Sequence, residues 1–524
     1  MTDERIDDER LRAAVAAATG TDPAAVAVHE THVSQVLVAG DRAFKRKKPL
    51  VLPFLDYGSE ERRHALCREE VRLNRRLAPE VYLGVRALVP TGDGGLALAE
   101  EGDPAAVEHV VEMRRFDEAA TLAGRLVAGA RLDEGQVRSV AVTLAGFHAA
   151  APIAGEDAGG PVAVERRMLV NVHELLEVVG DPETLDRVLA LERFLHAFLR
   201  GHRELLRARV RDGAIRDGHG DLRAEHVLLS GGTVQVVDCI EFDAALRESD
   251  VADDLAFLVM DLAANGAPEA ADALVAAYRA AGGDPGPDAL VAFYAAHRAL
   301  IRAKVALVRA GQLADAGARA AAREESARLL GLAESLAWRA RLPLTIVVCG
   351  PPASGKSFLA RALATRSGLP QHGSDATRKR LAGLAATERA AADQYGTAAN
   401  LRTYAELGRL AREAVHASGG AIVDATFRHA DDRAAFAEAF AGAAPTVVVE
   451  CRAPAAVLLG RAAVRERDPT SESDAGLDVV RRELGRWEPL DEVPAADHVV
   501  LRTDRPVVEA LADLQALLDG RLGH

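Results

Sequence analysis

The chain has 524 residues, too many for one hydrophobic core, so two or three domains are expected. Hydrophobic residues make up 49% and charged residues 27%, an ordinary globular composition that can bury a large core. The formal net charge of −14 argues against broad binding of a nucleic-acid phosphate backbone by the whole molecule, although it leaves room for a local basic groove.

The cysteines and the amino terminus indicate the compartment. The four cysteines lie far apart and form no CxxC pair, so they predict neither a zinc site nor a disulfide framework. The first residues are charged and lack an apolar signal core, and no apolar run is long enough to cross a bilayer. We therefore expect a soluble, reduced, cytoplasmic protein without a membrane partner. The sequence does not indicate an oligomeric state.

The first elements alternate short strands with one polar helix. Strand patterns cover residues 35–38 and 42–45, a helix runs from about Ser59 to Leu77, and a further strand covers residues 107–113. From about residue 119 to residue 311 the apolar period is mostly helical. We place a first domain limit at residue 113.

Two short apolar strands interrupt this helical region, at residues 227–229 and 234–237, and Ser230-Gly231-Gly232 between them predicts a hairpin. The segment that precedes the hairpin reads His219-Gly220-Asp221-Leu222-Arg223-Ala224-Glu225-His226, and Asp238 follows it. Two aspartates on such a unit suit phosphotransfer, because one can orient an acceptor hydroxyl while the other binds magnesium on the nucleotide.

This segment resembles the HGDxxxxN catalytic loop of aminoglycoside and choline phosphotransferases, which have a bilobal protein-kinase-like fold. The resemblance extends over roughly residues 25–335 and implies that Asp221 is the catalytic base and Asp238 the metal aspartate. It also makes Lys45 the candidate nucleotide lysine and Glu70 its helix partner, ahead of their neighbours Lys47 and Glu69 on strand and helix phase. A solvated charge run is the alternative interpretation of these residues.

One position departs from the family pattern. The final asparagine of the motif, a magnesium ligand in the family, is His226 here. Imidazole is a softer ligand than magnesium prefers, so Mn²⁺ is a candidate metal for this site beside Mg²⁺. The site either holds one metal well, binds nucleotide weakly, or has degraded phosphotransfer.

A helical pattern from about Pro287 to Arg339 ends at Pro343, and short β-branched strands then alternate with helices. The second domain limit is therefore placed at residues 339–340. Residues 345–349 form an apolar strand, as expected in the middle of a parallel sheet. The strand leads into a segment that matches GxxxxGK[ST] in full, Gly350-Pro351-Pro352-Ala353-Ser354-Gly355-Lys356-Ser357. A helix is predicted after this segment. Such a loop cradles phosphates, with Lys356 on the β- and γ-phosphates and Ser357 on magnesium.

Two acids follow at the ends of predicted strands. Asp375 can accept the proton of an attacking hydroxyl, with Arg378 on the same helical face, or it can simply cap a helix. Asp424 ends a buried strand and suits the role of holding a magnesium-bound water. Further on, Arg461 and Arg465 lie in a charged segment that is either a phosphate-clamping flap or solvated surface.

Residues 344–524 resemble the small P-loop kinases that include polynucleotide 5′-hydroxyl kinases, zeta-toxin-like kinases and gluconate-type sugar kinases. The match rests on the phosphate loop, the SDxxRK element at Ser374–Lys379, the VDAT element at Val423–Thr426 and the arginine segment. It implies that Asp375 is the general base, Arg378 a substrate or phosphate contact, and Arg461 or Arg465 the lid arginine.

The predicted fold is therefore an α+β bilobal protein-kinase-like domain, followed by an α/β P-loop domain with a mainly parallel sheet. The kinase-like lobes cover residues 1–113 and 114–339, and the P-loop kinase domain covers residues 340–524. This order looks like a bacterial fusion family usually described only as predicted kinases. The leading hypothesis is a bifunctional ATP- and magnesium-dependent phosphotransferase acting on a hydroxyl of a small molecule. A nucleotide-dependent regulator with a non-catalytic amino-terminal domain and a 5′-hydroxyl nucleic-acid kinase are the alternatives, and the acidic charge counts against the latter.

Overall fold

The structure is a computed structural model, and it describes residues 6–31, 33–52, 55–385, 388, 395–465, 477–483 and 487–522. The chain forms two compact units: residues 1–173 with 203–305, and residues 174–202 with 306–524. This division differs from the limits placed at residues 113 and 339 on sequence pattern. Two helical segments before residue 340 belong to the unit that contains the P-loop.

The elements before the P-loop follow in chain order. The helices are α1 (Asp8–Thr19), α2 (Glu60–Asn74), α3 (Leu122–Val127), α4 (Glu134–Ala150), α5 (Glu156–Gly159), α6 (Pro161–Val178), α7 (Pro182–Gly201), α8 (Arg203–Arg211), α9 (Ala244–Arg247), α10 (Val251–Ala264), α11 (Pro268–Ala280), α12 (Asp288–Gln312) and α13 (Ala316–Arg339). The strands are β1 (Ala27–Glu30), β2 (Ser34–Ala39), β3 (Arg42–Lys47), β4 (Val51–Leu52), β5 (Leu55–Asp56), β6 (Tyr82–Pro90), β7 (Leu96–Glu100), β8 (Glu108–Arg114), β9 (Ile215–Asp217), β10 (Val227–Ser230), β11 (Thr233–Val236) and β12 (Glu248–Asp250).

The elements from the P-loop strand onward are shorter. The strands are β13 (Leu344–Cys349), β14 (Gln371–Gly373), β15 (Gly420–Asp424), β16 (Thr446–Arg452) and β17 (His498–Arg502). The helices are α14 (Lys356–Ser367), α15 (Ser374–Leu381), α16 (Thr397–Ser418), α17 (Ala430–Phe440), α18 (Ala455–Arg465), α19 (Leu477–Glu483) and α20 (Val507–Asp519).

The first unit begins with an antiparallel sheet in the order β1-β2-β3-β8-β6-β7. Helix α2 starts where the Ser59 hydroxyl accepts a hydrogen bond from the Arg62 amide at 3.3 Å. Its apolar side, including Cys67 and Val71, packs on β6 and β8 in a buried cluster. This packing sets the helix beside the strand that carries Lys45.

The second part of this unit is mostly helical and carries the predicted hairpin. Strands β10 and β11 pair antiparallel, with Ser230 opposite Thr233. Gly231 and Gly232 both have positive φ, as a two-residue turn of this kind requires. The predicted hairpin is therefore present. Along the chain, the HGD segment comes before its first strand and Asp238 comes after its second strand.

The second unit contains a parallel sheet in the order β14-β15-β13-β16-β17. All six residues of β13 are buried, as expected for a central strand, and apolar clusters pack on both faces of the sheet. Helix α7 packs with α13 and α20 in this unit, where Arg187 Nε donates to Glu334 Oε1 at 2.9 Å. The α+β kinase-like region followed by a parallel α/β domain confirms the predicted fold class.

Within the described part of the chain, the structure contains no helix whose length and apolarity would let it span a bilayer.

Candidate functional site

The phosphate loop lies between the end of β13 and the start of α14. Gly350 has φ 141°, and a Cβ there would lie 2.6 Å from the carbonyl oxygen of Cys451. Gly355, with φ 87°, is the residue before α14, which begins at Lys356, two residues earlier than the sequence pattern indicated. Glycine is required at Gly350 because the backbone approaches β16 too closely for a side chain. The loop and helix terminus can therefore wrap an anionic phosphate.

Asp424 ends β15 directly beside the loop, since Val348 of β13 pairs with Asp424. The carboxylate is buried, and among the described residues its Oδ1 atom has no hydrogen-bond partner. Burial raises the pKa of Asp424, against the opposing effects of Lys356 and of a hydrogen bond from the Ser357 hydroxyl. A buried, unpaired carboxylate oxygen next to a hydroxyl is the oxygen-donor set that Mg²⁺ prefers. The residues therefore fit a magnesium ion.

Asp375 lies in the first turn of α15, which follows β14 after Gly373. Gly373 pairs with Asp424 across the sheet, and the charge of Asp375 contributes to raising the pKa of Asp424. The alternative that Asp375 is the N-cap of this helix is wrong, because the N-cap is Gly373, two residues earlier. The Asp375 carboxylate is half-buried and lies near Asp424.

The two predicted arginine contacts differ in how far they can be placed. Arg378 is buried, donates to Asn400 Oδ1 at 2.8 Å, and lies 4.7 Å above the ring of Tyr395. Arg461 donates to the carbonyl oxygens of Thr503 at 2.5 Å and Ala353 at 3.5 Å, which holds it against the phosphate loop. The side chain of Arg465 lies outside the described residues, as does the rest of the charged segment at residues 466–476.

A cavity of about 860 Å³ opens on the outer side of the phosphate loop. The loop contributes Ala353 and Gly355, and Phe358 on the first turn of α14 is 62% exposed. Its remaining walls come from α18, from the loop between β17 and α20, and from α20 itself, with residues including Arg461, Val464, Thr503, Arg505 and Val507. A mostly apolar cavity next to a phosphate loop can hold the base and ribose of a nucleotide.

The first unit contains a separate group of charged residues around Lys45. Lys45 Nζ lies 2.8 Å from Glu70 Oε1 and 2.8 Å from Asp238 Oδ1. The nearby ammonium of Lys45 holds the pKa of Asp238 well below its usual value, against the effect of burial. Burial would lower the pKa of Lys45, but Asp238 and Glu70 raise it well above its usual value. Lys45 is therefore charged and joins the α2 glutamate to the predicted metal aspartate.

Lys47 shares the same glutamate. Its Nζ lies 2.7 Å from Glu70 Oε2, contacts Glu241 and is fully buried, whereas Glu69 pairs with Arg72 on the surface of α2. Both lysines thus bind Glu70 through different oxygens. Only Lys45 also reaches Asp238, which agrees with the choice of Lys45 and Glu70 on phase.

The predicted catalytic loop brings Asp221, Arg223 and His226 together. Arg223 donates two hydrogen bonds to the Asp221 carboxylate, each 2.9 Å long. Burial would raise the pKa of Asp221, but His226 and Arg223 hold it below its usual value. Asp221 is therefore an ionised carboxylate beside a fixed guanidinium.

His226 is oriented by the same loop. Its Nδ1 donates to the Asp221 carbonyl oxygen at 2.7 Å, so Nε2 is the nitrogen that can bind a metal when the ring is neutral. Nε2 lies 3.8 Å from Asp238 Oδ2 and accepts from Arg223 at 3.3 Å. A second ring nitrogen that donates to a carbonyl is the usual arrangement of a metal-binding histidine. The geometry therefore fits His226 as a metal ligand beside Asp238.

Asp238 has φ 65°, a left-handed conformation that costs a non-glycine residue free energy. The Tyr82 hydroxyl accepts from its amide at 3.1 Å, and Asn74 Oδ1 accepts from the next amide at 2.9 Å. These contacts hold the strained backbone in place.

The sequence analysis missed Arg223 and Lys47 as site residues. Arg223 stands two positions after Asp221 inside a short motif, and its charge was the available signal. Lys47 lies on the same side of β3 as Lys45, so strand phase could not separate the two lysines and did not show that Glu70 binds both.

Comparisons with known proteins find a family model and relatives of this chain. A family model described as an AAA domain matches residues 345–490. An uncharacterized protein of Mycobacterium tuberculosis is 35% identical over 468 residues, which cover 87% of this chain and 90% of the relative, and one of Mycobacterium bovis has the same values.

The chain is also similar to several solved structures. A choline/ethanolamine kinase family protein from Mesorhizobium loti is 16% identical, covers 62% of this chain and 97% of its own, and has a TM-score of 0.34. An aminoglycoside phosphotransferase, APH(2″)-Ib, is 12% identical, covers 63% of this chain and 99% of its own, and has a TM-score of 0.35. A gluconokinase from Sinorhizobium meliloti is 21% identical, covers 34% of this chain and 92% of its own, and has a TM-score of 0.24.

The P-loop, the buried acid beside it and the AAA domain match define the class of protein, an ATP-dependent phosphotransferase. The chain belongs to the family of these two mycobacterial proteins, because the 35% identity extends over most of both sequences.

Proposed function

We propose that the protein is an ATP- and magnesium-dependent phosphotransferase with two kinase-like sites. Each transfers the γ-phosphate of ATP to a hydroxyl group of a small molecule, such as a sugar, an aminoglycoside-like compound or a nucleotide sugar. The observation that carries the proposal is the unpaired carboxylate oxygen of Asp424, buried beside Ser357 and Lys356 at the end of the phosphate loop. Such an atom is costly unless a cation binds it.

In the P-loop unit, Lys356 would bind the β- and γ-phosphates, and Ser357 and Asp424 would hold magnesium. The bound ion neutralises charge on the phosphates. Asp375 would accept the proton of the acceptor hydroxyl while the hydroxyl oxygen bonds to the γ-phosphorus. The bond between the γ-phosphorus and the leaving ADP would break in the same step.

The remaining P-loop residues would position the substrates. Arg378 would orient the acceptor, and Arg461, together with Arg465, would contact the transferring phosphoryl group. The cavity beside Phe358 would hold the nucleoside, because its walls adjoin the loop and carry exposed apolar surface.

In the first unit, Asp221 would orient the acceptor hydroxyl and take its proton, while Asp238 and His226 would hold the metal. Lys45, fixed by Glu70, would bind the nucleotide phosphates. Arg223 adds a guanidinium next to the base, where it can neutralise charge on the transferring phosphoryl group.

The alternative, a nucleotide-dependent regulator, draws support from His226, because a weakened metal site is what a non-catalytic domain would tolerate. Against it, the first unit keeps a buried lysine–glutamate pair, a strained metal aspartate and an ionised base. A purely regulatory domain has no need of a positioned base.

The test is transfer of labelled γ-phosphate from ATP to pooled metabolites and to 5′-hydroxyl oligonucleotides. Wild type should label a small molecule. Lys356→Ala and Asp221→Asn should each remove the labelling that depends on one site, and Arg223→Gln should weaken the same labelling as Asp221→Asn. Label on oligonucleotides alone would favour the nucleic-acid kinase, and no label on any acceptor would favour the regulator.

A further inference from the structure

Two histidines and two glutamates gather in the first unit, away from the residues assigned to phosphotransfer. Glu60 and His64 lie one turn apart on α2, His109 lies on β8, and Glu101 follows β7. One ligand atom from each of Glu60, His64 and His109 lies within 4.8 Å of the others. Glu101 Oε1 lies 2.9 Å from His64 Nε2.

The hydrogen bonds of His109 identify which of its nitrogens has a lone pair. Nε2 lies 3.1 Å from the carbonyl oxygen of Glu101, which can only accept, so Nε2 carries the proton. Nδ1 lies 2.6 Å from Glu60 Oε1. A neutral His109 would therefore turn a lone pair toward a carboxylate oxygen, and this contact is favourable only with a proton or a metal ion between the two atoms.

The neighbouring ring brings a second imidazole to the same place. The rings of His64 and His109 stack with centroids 3.6 Å apart and planes 4° apart, and both rings have a nitrogen near Glu60. His64 also faces the carboxylate of Glu101. A single divalent ion between these groups would balance the charges of Glu60 and Glu101.

We propose that Glu60, His64 and His109 bind a zinc ion. Two imidazole nitrogens and a carboxylate oxygen form a donor set that suits Zn²⁺ better than Mg²⁺. Zinc bonds of about 2.0–2.2 Å place tetrahedral ligand atoms roughly 3.4 Å apart, so the three ligand atoms, now within 4.8 Å of one another, would draw together and the stacked rings would tilt toward the ion. The bond from His109 Nε2 to a backbone carbonyl is the outer contact that a ligating histidine usually makes.

The charged group that competes for this site is Arg68, whose Nε lies 3.2 Å from Glu101 Oε1. Arg68 is 69% exposed and can move aside into solvent. The side chains of Glu60 and His64 are about one-third exposed, which gives an ion a path from solvent. The ion would tie the first turns of α2 to β8. Glu70, the partner of Lys45, lies farther along the same helix, so the ion would also steady that pair.

Zinc titration of the chelator-treated full chain by calorimetry tests the site, with magnesium in large excess to occupy sites of oxygen donors. Wild type should bind one zinc per chain at this site, and zinc should raise its melting temperature. Glu60→Gln and His64→Gln should each weaken zinc binding at least tenfold and remove the rise in melting temperature. Both positions are partly exposed, so both variants should fold, which circular dichroism checks.

His29→Gln serves as the matched control, because His29 is an exposed histidine on β1 of the same sheet and should leave zinc binding unchanged. Cobalt in place of zinc should give the strong visible absorption of a tetrahedral site in wild type and lose it in His64→Gln. Two results would overturn the site: no stoichiometric zinc binding by wild type, or unchanged binding by His64→Gln. Zinc binding that disappears only in His226→Asn would move the metal to the phosphotransfer site and equally overturn the proposal.

Discussion

Asp375 and Asp424 are two carboxylates at the same edge of a sheet, yet their surroundings suit them to different tasks. Asp424 is buried with its Ser357 hydrogen bond and one oxygen left unpaired, as a metal ligand requires. Asp375 is half-buried on the next helix, where a substrate hydroxyl can reach it. A difference in burial between neighbouring acids is a common way to divide metal binding from proton transfer.

Asp375→Asn should lower turnover at the P-loop site by about a hundredfold or more, because the amide cannot accept the acceptor proton. ATP affinity should stay nearly the same, since Asp375 is not needed to hold phosphate. Steady-state kinetics and calorimetry on the same preparations measure both quantities. Glu438→Gln, an exposed carboxylate on α17, is the matched control. Turnover that survives in Asp375→Asn would move the role of base to another group, with Asp424 as the next candidate.

His226 presents its Nε2 toward Asp238, so its effect on metal choice can be tested at one residue. Magnesium prefers an octahedron of oxygen ligands, whereas manganese tolerates an imidazole nitrogen better. The first site should therefore bind ATP more tightly with manganese than with magnesium. Its affinity is isolated by titrating the full chain in a Lys356→Ala background.

In that background, His226→Asn should narrow the difference between the metals, because it restores an oxygen donor. Asp221→Asn should leave nucleotide binding in place and remove transfer. An unchanged ratio of affinities in His226→Asn would mean that the histidine is not a ligand and serves only to hold the loop.

Sequence alone could place the residues of the P-loop, since a full GxxxxGK[ST] after a buried strand leaves little freedom. It could not show that Lys45 and Lys47 share Glu70, because that depends on side-chain reach across the gap between β3 and α2. It also could not decide whether Asp375 caps its helix, since capping depends on backbone angles at Gly373.

At the scale of elements, the loop that carries Asp221 is held from behind by buried polar groups. The Asp254 carboxylate accepts from the amides of His219 and Gly220 at 2.8 and 2.9 Å and bonds to His148 at 3.0 Å. Burial would raise the pKa of Asp254, but its bond with His148 holds it well below its usual value. From the other side, Arg298 of α12 binds Asp253 and donates to the Gly220 carbonyl at 3.3 Å. This helix thus supports the loop.

The loop also predicts a pH dependence of stability. His219 is fully buried, donates from Nε2 to the Val237 carbonyl at 3.0 Å, and has its pKa lowered to about 4, chiefly by burial. An unfolded histidine has a pKa of about 6.5. Between about pH 6.5 and pH 4 this histidine is therefore protonated in the unfolded chain and neutral in the native chain. The stability contributed by neutral His219 is complete above about pH 6.5 and is lost as the pH falls toward 4.

We expect His219 to contribute a fall on the order of 2 kcal/mol in the free energy of unfolding between pH 7 and pH 5. Urea unfolding at the two pH values measures it. His219→Gln keeps a donor for Val237 and should show a shallower pH dependence than wild type, whereas the exposed-site variant His29→Gln should match wild type. Equal pH dependence in His219→Gln and wild type would contradict the assignment.

Local sequence pattern predicted some elements, whereas the unit to which others belong depends on long-range contacts. The hairpin at residues 230–232 and the central strand β13 follow from local pattern, and both are present. Local pattern did not show that α7 and α13 belong to the unit that contains the P-loop. That depends on long-range contacts: α7 packs on α20 as well as on α13, and Arg341, just after α13, binds Asp519 at the end of α20.

On the scale of the whole molecule, each proposed nucleotide site lies entirely within one compact unit. Lys45, Asp221 and Asp238 belong to the first unit, and Lys356 and Asp424 belong to the second. Because neither site needs a residue from the other unit, each should bind nucleotide without the other. A substitution in one should leave the affinity of the other intact.

The number of nucleotides bound per full-length chain shows whether both proposed sites bind nucleotide. Calorimetric titration with a non-hydrolysable ATP analogue and magnesium, repeated with manganese, should give two nucleotides per wild-type chain. Lys356→Ala and Asp238→Asn should each leave one site, and the double variant none, whereas the control Lys48→Ala, on a lysine paired with Glu30, should keep two. One nucleotide per wild-type chain that Lys356→Ala abolishes, or two that survive in Lys356→Ala, would contradict an account of two kinase-like sites in one chain.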